Sequence, residues 1–361
     1  MSCRSFFLFV FNALMVCGSC QTESAQNHDG IGSSAASFKV TVTRIAGDST
    51  QFAHIDHSIP LKARFSSPKK LVWDDRTQSL FIVDGAGASG IRKMDRNGKI
   101  STPLPYVGTS NEIYDVCLVP GEAGAIYFGT TLGELQKYTA AGTPEIIIDW
   151  RRKSGRRKEG NETGSLDEAA ISGPHGIVAA PNGNIYIAND YYKTIHKIDL
   201  DAVGNEVTVF AGKPTSGVSA PAFELADGRG TAATFGAISD MAIDGKGIVY
   251  VADDGYCTVR KITPSGVVTS LLTPSSKTYT YYPDKDGPVA AARASKVAHV
   301  AVSEDGSLVF FSTGRAVRVI REGKEVFTLA KLPAVSGMTC TPDGRTVYVT
   351  AGKAIYKMSL Q

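Results

Sequence analysis

Residues 238–272 read ISDMAIDGKGIVYVADDGYCTVRKITPSGVVTSLL, and the rest of the chain repeats their pattern. Four short apolar runs, 241–243, 248–252, 258–262 and 267–272, alternate with Asp244-Gly245, Asp254-Gly255 and Pro264-Ser265-Gly266. Such residues tolerate or impose turn backbone angles. Each run is too short for a helix and rich in Val, Ile and Tyr, which predicts a four-stranded antiparallel meander. A lone meander cannot bury both faces, so it must stack on copies of itself.

The copies align on an aromatic in the second strand: Phe81, Tyr127, Tyr186, Tyr250, Phe310 and Tyr348. First strands precede these at 71–73, 116–118, 177–179, 241–243, 300–302 and 338–340. Third strands end at Met94, Tyr138, Ile198, Ile262, Ile320 and Met358, and fourth strands follow in five copies. Lys93, Lys137, Lys197, Lys261 and Lys357 precede the third-strand ends and read as solvated partners on the alternate face. The sixth copy has no fourth strand, while the stretch 38–47 (FKVTVTRIAG) is a strand without a meander of its own. Its end, VTRIAG, parallels VTVFAG at 207–212. Closing the ring with it removes exposed sheet edges. The expected fold is therefore all-β: one six-bladed β-propeller of four-stranded antiparallel blades over residues 38–361, closed by the N-terminal strand.

The segments DGRGTAATF at 227–235 and 238–262, with GPHGIVAAPNGNIYIANDYYKTIHKI at 173–198, resemble NHL repeats. So do the pre-strand segments IPLKARFSSP, SLDEAAISGP, GTAATFGAIS and GPVAAARASK. The resemblance covers nearly all of 38–361 and implies the propeller fold. For function it is unspecific, because such propellers serve binding, assembly and catalysis alike.

Ahead of the propeller, Arg4 and the apolar stretch 6–16 lead to Gly18-Ser19-Cys20, which reads as an export signal over residues 1–20. The arrangement is similar to the lipobox of bacterial lipoproteins, with Cys20 as the lipidated residue, although Cys17 stands where that motif usually carries an aliphatic residue. Plain secretion is the alternative. Residues 21–37 are polar, small and aperiodic, as in a flexible tether. Cys117, Cys257 and Cys340 lack zinc spacing and fall in different repeats, so they read as buried free thiols. The 43% hydrophobic and 20% charged composition is that of a globular protein, and a net charge of +3 over 361 residues argues against a nucleic-acid partner. A monomer is expected.

In a propeller the first strands line the central channel. The residues just before them are Lys69-Lys70, Tyr114-Asp115, His175-Gly176, Ser239-Asp240, Ala298-His299 and Ser336-Gly337. Lys70, Asp115, His175, Asp240 and His299 are therefore expected at one channel mouth, where convergent polar groups make a candidate binding site. The competing reading is that they merely hydrate the channel end and tie down loops. A divalent metal is a further possibility there, since His and Asp both ligate such ions, but no close-spaced pair fixes a geometry. Pro174-His175-Gly176 and Asp254-Gly255-Tyr256-Cys257 are similar to segments of the peptide-amidating lyases, where the first holds a zinc ligand and the second a catalytic tyrosine. That resemblance makes Tyr256 a candidate. His299 is one position out of register with the second zinc histidine, and Ser336-Gly337 stands where the third would be.

Short polar residues end the second strands (Asp84, Thr130, Asn189, Asp253, Thr313) and are expected to cap the turn that follows. The run RRKSGRRKE at 151–159 leads toward His175. Its Arg151, Arg152, Arg156 and Arg157 suit an oxyanion such as uronate, sulfate or phosphate, and otherwise form an ordinary solvated loop. Two functions remain in view: a tethered protein binding an extracellular ligand, such as an acidic glycan, and a lyase or lactonase acting at the mouth.

Overall fold

A computed structural model describes residues 38–48, 51, 53–85, 89–107, 111–122, 124–139, 142–149, 161–201, 206–215, 224–274 and 282–361. The expectations for residues 1–37, including Cys20, and for the basic run 151–159 fall outside the described residues.

Six antiparallel sheets form the blades of a ring, and a separate two-stranded sheet pairs Asn161–Glu162 with Ala170–Ile171. Blade 1 contains Pro68–Asp74, Ser79–Asp84, Ser89–Met94 and Ile100–Val107. Blade 2 contains Ile113–Cys117, Ile126–Thr130, Glu134–Tyr138 and Glu145–Asp149. Blade 3 runs Pro174–Ala179, Ile185–Asn189, Thr194–Asp199 and Glu206–Ala211; blade 4 runs Ile238–Ile243, Val249–Asp253, Thr258–Ile262 and Val267–Ser270. Blade 5 runs Val300–Val302, Leu308–Thr313, Ala316–Arg321 and Glu325–Lys331. In blades 3, 4 and 5 a two-residue strand (Gly164–Ser165, Gly228–Arg229, Gly287–Pro288) adds a fifth, outermost rung.

Blade 6 supplies Val335–Cys340, Thr346–Ala351 and Ala354–Leu360, and its outer strand is Val40–Gly47 from the other end of the propeller. The register runs from Val40 opposite Leu360 to Gly47 opposite Ala354, with a bulge between Arg44 and Ala46. Lys39 and Gln361 exchange two further main-chain hydrogen bonds. The N-terminal strand thus closes the ring. Between blades 6 and 1, the Trp73 ring stacks on that of Tyr348 at 5.2 Å.

The six second-strand aromatics are all buried between blades. Each such side chain contributes on the order of 1.5–3 kcal/mol by leaving water. Third-strand lysines stay partly exposed: Lys137 pairs with Glu122 at 2.6 Å, and Lys93 lies over the Phe81 ring.

The residue on the opposite face of the third strand was not anticipated. Arg92, Arg260 and Arg318 are fully buried. Arg92 donates to the carbonyls of Arg64 and Ile55 and to Asp56 and Asp84. Arg260 repeats this with Thr234, Ala226, Asp227 and Asp253. Arg318 holds Arg293, Lys285 and Asp286. Each guanidinium clamps the segment before the inner strand onto the blade, its planar fork reaching several acceptors at once.

The clamp also gives Asp84 and Asp253 a role beyond the expected turn cap. Asp84 accepts the N–H groups of Ser66 and Ser67, while Asp253 accepts that of Gly236 and, as expected, that of Tyr256 in the following turn. Both therefore fasten the preceding segment. Asn189 does take the N–H of Tyr192 in the turn after it.

Candidate functional site

The inner strand of a blade has no partner on its channel side, so alternate N–H groups project into the channel. In five of the six inner strands a bulge interrupts the pairing just before the channel: Pro68/Leu71, Ile113/Asp115, Pro174/Gly176, Ile238/Asp240 and Val335/Gly337. A bulge re-aims the residue beside it. The re-aimed positions, with His299 in blade 5, form one ring around the channel: Lys70, Asp115, Gly176, Asp240, His299 and Gly337.

Asp115 accepts the N–H of its own neighbour Val116 and that of Ile177 in the next blade, both at 2.8 Å. Asp240 does the same for Met241 at 2.7 Å and for Val300 at 3.1 Å. Each carboxylate thereby satisfies two edge donors and joins two blades. Between the two carboxylates stands the Lys70 ammonium, hydrogen-bonded to Asp240 and 3.4 Å from Asp115. His299 Nδ1 lies 3.6 Å from Asp240 on its other side.

Burial lowers the proton affinity of Lys70, but Asp115 and Asp240 overcome it and hold the ammonium above its ordinary value. Burial pushes the Asp115 carboxyl up to about 7; Lys70 opposes this and the charge of Asp240 adds to it. Burial acts on Asp240 too, yet Lys70 and His299 outweigh it and leave this carboxyl below its usual range. The difference follows from Lys70 sitting closer to Asp240. Of the two carboxyls, Asp115 therefore has the higher proton affinity.

Above this ring lies the rim. The His175 imidazole packs on the Tyr114 ring at 4.7 Å between centroids. Burial lowers the His175 pKa, with Asp190 raising it and Lys193 and Lys70 lowering it further. The imidazole is therefore neutral near pH 7. Lys69 pairs with Glu112 at 2.7 Å, and Lys193 with Asp190 at 2.9 Å. Glu112, Asp190 and Lys193 were not among the sequence candidates. The turn Asp190-Tyr191-Tyr192-Lys193 carried the only available signal, a close-spaced opposite-charge pair beside exposed Tyr191.

A cavity of about 200 Å³ runs along the channel from Lys70, Asp115 and Asp240 to the apolar side chains of Leu118, Ile243 and Val302. The structure brings Lys70, Asp115, Asp240 and His299 together, with His175 on the rim. Tyr256 lies apart from this ring, buried in the single 3-10 turn Asp254–Tyr256 that links the second and third strands of blade 4. Among the described residues, no three His, Cys, Asp or Glu side chains converge as metal ligands. The three cysteines among them are free thiols.

Residues 157–263 match the Teneurin NHL domain. The match spans blades 3 and 4, whose meander recurs around the ring. No curated protein sequence matches the chain. Solved propellers resemble it in fold. An auxiliary nutrient binding protein from Bacteroides thetaiotaomicron superposes with a TM-score of 0.63 at 12% identity, over 90% of this chain and 77% of that one. A gluconolactonase from Xanthomonas campestris gives 0.54 at 10% identity, over 90% of each chain. A catalytically inactive virginiamycin B lyase from Staphylococcus aureus, with quinupristin, gives 0.52 at 13% identity, over 90% of this chain and 100% of that one. At such identities the likeness is one of fold.

Proposed function

We propose that this propeller is an exported ligand-binding protein whose site is the channel mouth, bounded by His175, Tyr114 and the Lys70–Asp115–Asp240–His299 ring. The observation that carries the reading is that ring. One ammonium, two carboxylates and an imidazole converge at one end of a cavity to which all six blades contribute. Convergent polar groups in a concave, partly apolar site are the ordinary form of a small-molecule site. The export signal and polar tether expected over residues 1–37 support a ligand met outside the cell, with Cys20 as the proposed anchor. A glycan suits the rim, where the exposed Tyr191 and the His175–Tyr114 pair offer ring faces to a sugar. Arg151, Arg152, Arg156 and Arg157 would add recognition of acidic groups.

Titration of wild type with acidic and neutral oligosaccharides at two salt concentrations tests this. His175→Ala is expected to weaken both ligands. Replacing the six basic residues of 151–158 by Ser is expected to weaken the acidic ligand alone, and more so at low salt, since exposed charges are screened. Unchanged affinities in both variants would return the mouth to a structural role.

One observation favours an enzyme as the second reading. Burial lowers the His175 pKa against the pull of Asp190, which favours the unprotonated imidazole a general base requires. Turnover that disappears in His175→Ala while ligand affinity persists would establish a lyase or lactonase in place of a binder.

A further inference from the structure

The carboxylate clamps occupy alternate blades. Asp115 of blade 2 joins blades 2 and 3, and Asp240 of blade 4 joins blades 4 and 5. The third position of this series, in blade 6, is Gly337. By register it would join the N–H of Met338 to that of Leu71 in blade 1. Met338 pairs with Val349 and Leu71 with Ile82, as Val116 pairs with Phe128 and Met241 with Val251. No side chain among the described residues accepts from Leu71 or Met338. Nor can a residue other than glycine supply one from this position. A Cβ on Gly337 would lie 1.8 Å from the Lys69 carbonyl oxygen, which itself takes the Thr350 hydroxyl at 2.7 Å. Leu71, Met338 and Lys70 all line the cavity.

From this geometry we infer a ligand subsite on the channel floor, where the N–H groups of Leu71 and Met338 receive an uncharged oxygen, a carbonyl or a hydroxyl, of the bound molecule. Charge decides the class of group. Lys70 already stands against two buried carboxylates, so a third would add a negative charge where Lys70 is the only lysine or arginine among the described residues lining the cavity. A neutral oxygen meets the donors without that cost. The raised proton affinity of Asp115 points the same way, since the ring already resists its second negative charge. The cavity is large enough for such a group, a water molecule claiming roughly 30 Å³ of liquid volume. The inference rests on the mouth being the ligand-bearing end. It adds a division of labour, in which the rim meets charged groups and the floor accepts only neutral ones.

The test uses acetamide and acetate, two probes of nearly equal shape and different charge. Amide resonances of the ¹⁵N-labelled protein are followed during titration at pH 8. Acetamide is expected to shift Leu71 and Met338 saturably while Val116, Ile177, Met241 and Val300, already bonded to carboxylates, barely move. Acetate is expected to have little effect in wild type and to bind at least about tenfold better in Asp115→Asn, which removes one opposing charge. Silence of Leu71 and Met338 toward both probes overturns the subsite. Tighter binding of acetate than of acetamide in wild type overturns its neutral character. Because the probes report on the floor directly, either failure is distinct from a failure of His175→Ala to affect oligosaccharide binding.

Discussion

Lys70 is the side chain on which the channel ring depends. Its ammonium stands between Asp115 and Asp240, both nearly inaccessible to water. Lys70→Met would leave two buried carboxylates facing each other, and stripping one partner from a buried ion pair costs about 3–5 kcal/mol. Denaturant unfolding should show that loss, and the triple variant with Asp115→Asn and Asp240→Asn should recover much of it. Asp115 also sets a pH dependence. In the folded protein its carboxyl titrates at about 7, against 3.8 ordinarily. Between these values the native state holds a proton that the unfolded chain has released, so this contribution to stability declines as pH rises from about 4 through 7. The stability difference between wild type and Asp115→Asn, measured across that range, should therefore shift steadily against wild type toward higher pH. A flat difference would contradict the assignment.

At the scale of the element, blade 3 departs from the clamp that blades 1, 4 and 5 share. His196 stands where they carry Arg92, Arg260 and Arg318. It is fully buried, neither ring nitrogen has a hydrogen-bond partner, and burial holds its pKa down to about 4. Thr163 occupies the place of Asp56, Asp227 and Asp286, as the pairing of Gly164, Gly228 and Gly287 shows. His196→Arg should therefore bury an uncompensated cation at a cost of about 3 kcal/mol or more. Adding Thr163→Asp should restore the clamp with a coupling of roughly 2 kcal/mol in a double-mutant cycle. The clamp also marks where sequence reading ran out. Asp115, Asp240 and His299 were legible because they precede an apolar run at a fixed offset. The arginines were not: Arg92 and Arg260 adjoin the lysine column, where alternating charge reads as solvated surface. Their partners, Asp56 and Asp227, lie more than a strand away in loops without periodicity. Likewise, no local pattern reveals that Asp115 takes an N–H from Ile177 in another blade.

For the whole molecule the decisive feature is the borrowed outer strand of blade 6. The fold could be read from the sequence because the sixth meander lacks a strand and 38–47 lacks a meander, two deficits that cancel. Ala46 is buried in this strand, and Val40, Val42 and Ile45 are packed beside core clusters. At about 1 kcal/mol each, their removal amounts to several kcal/mol. A deletion through Gly47 should thus lower the Tm by more than about 10 °C and expose an edge that self-associates. A deletion ending at Ser37 serves as the control. Equal melting of the two proteins in calorimetry would refute ring closure by this strand.

Because Lys39 and Gln361 are hydrogen-bonded neighbours, the backbone is in effect a circle cut at one point, and the position of the cut is arbitrary with respect to the packing. A short glycine linker from Gln361 to Phe38, with new ends opened between the exposed Pro264 and Ser265, should give a permuted protein with the same six blades. The old seam would then be covalent, and blade 4 would become the one held shut by hydrogen bonds and packing alone. Comparing where hydrogen exchange is fastest in the two chains would show that the molecule opens wherever its circle has been cut.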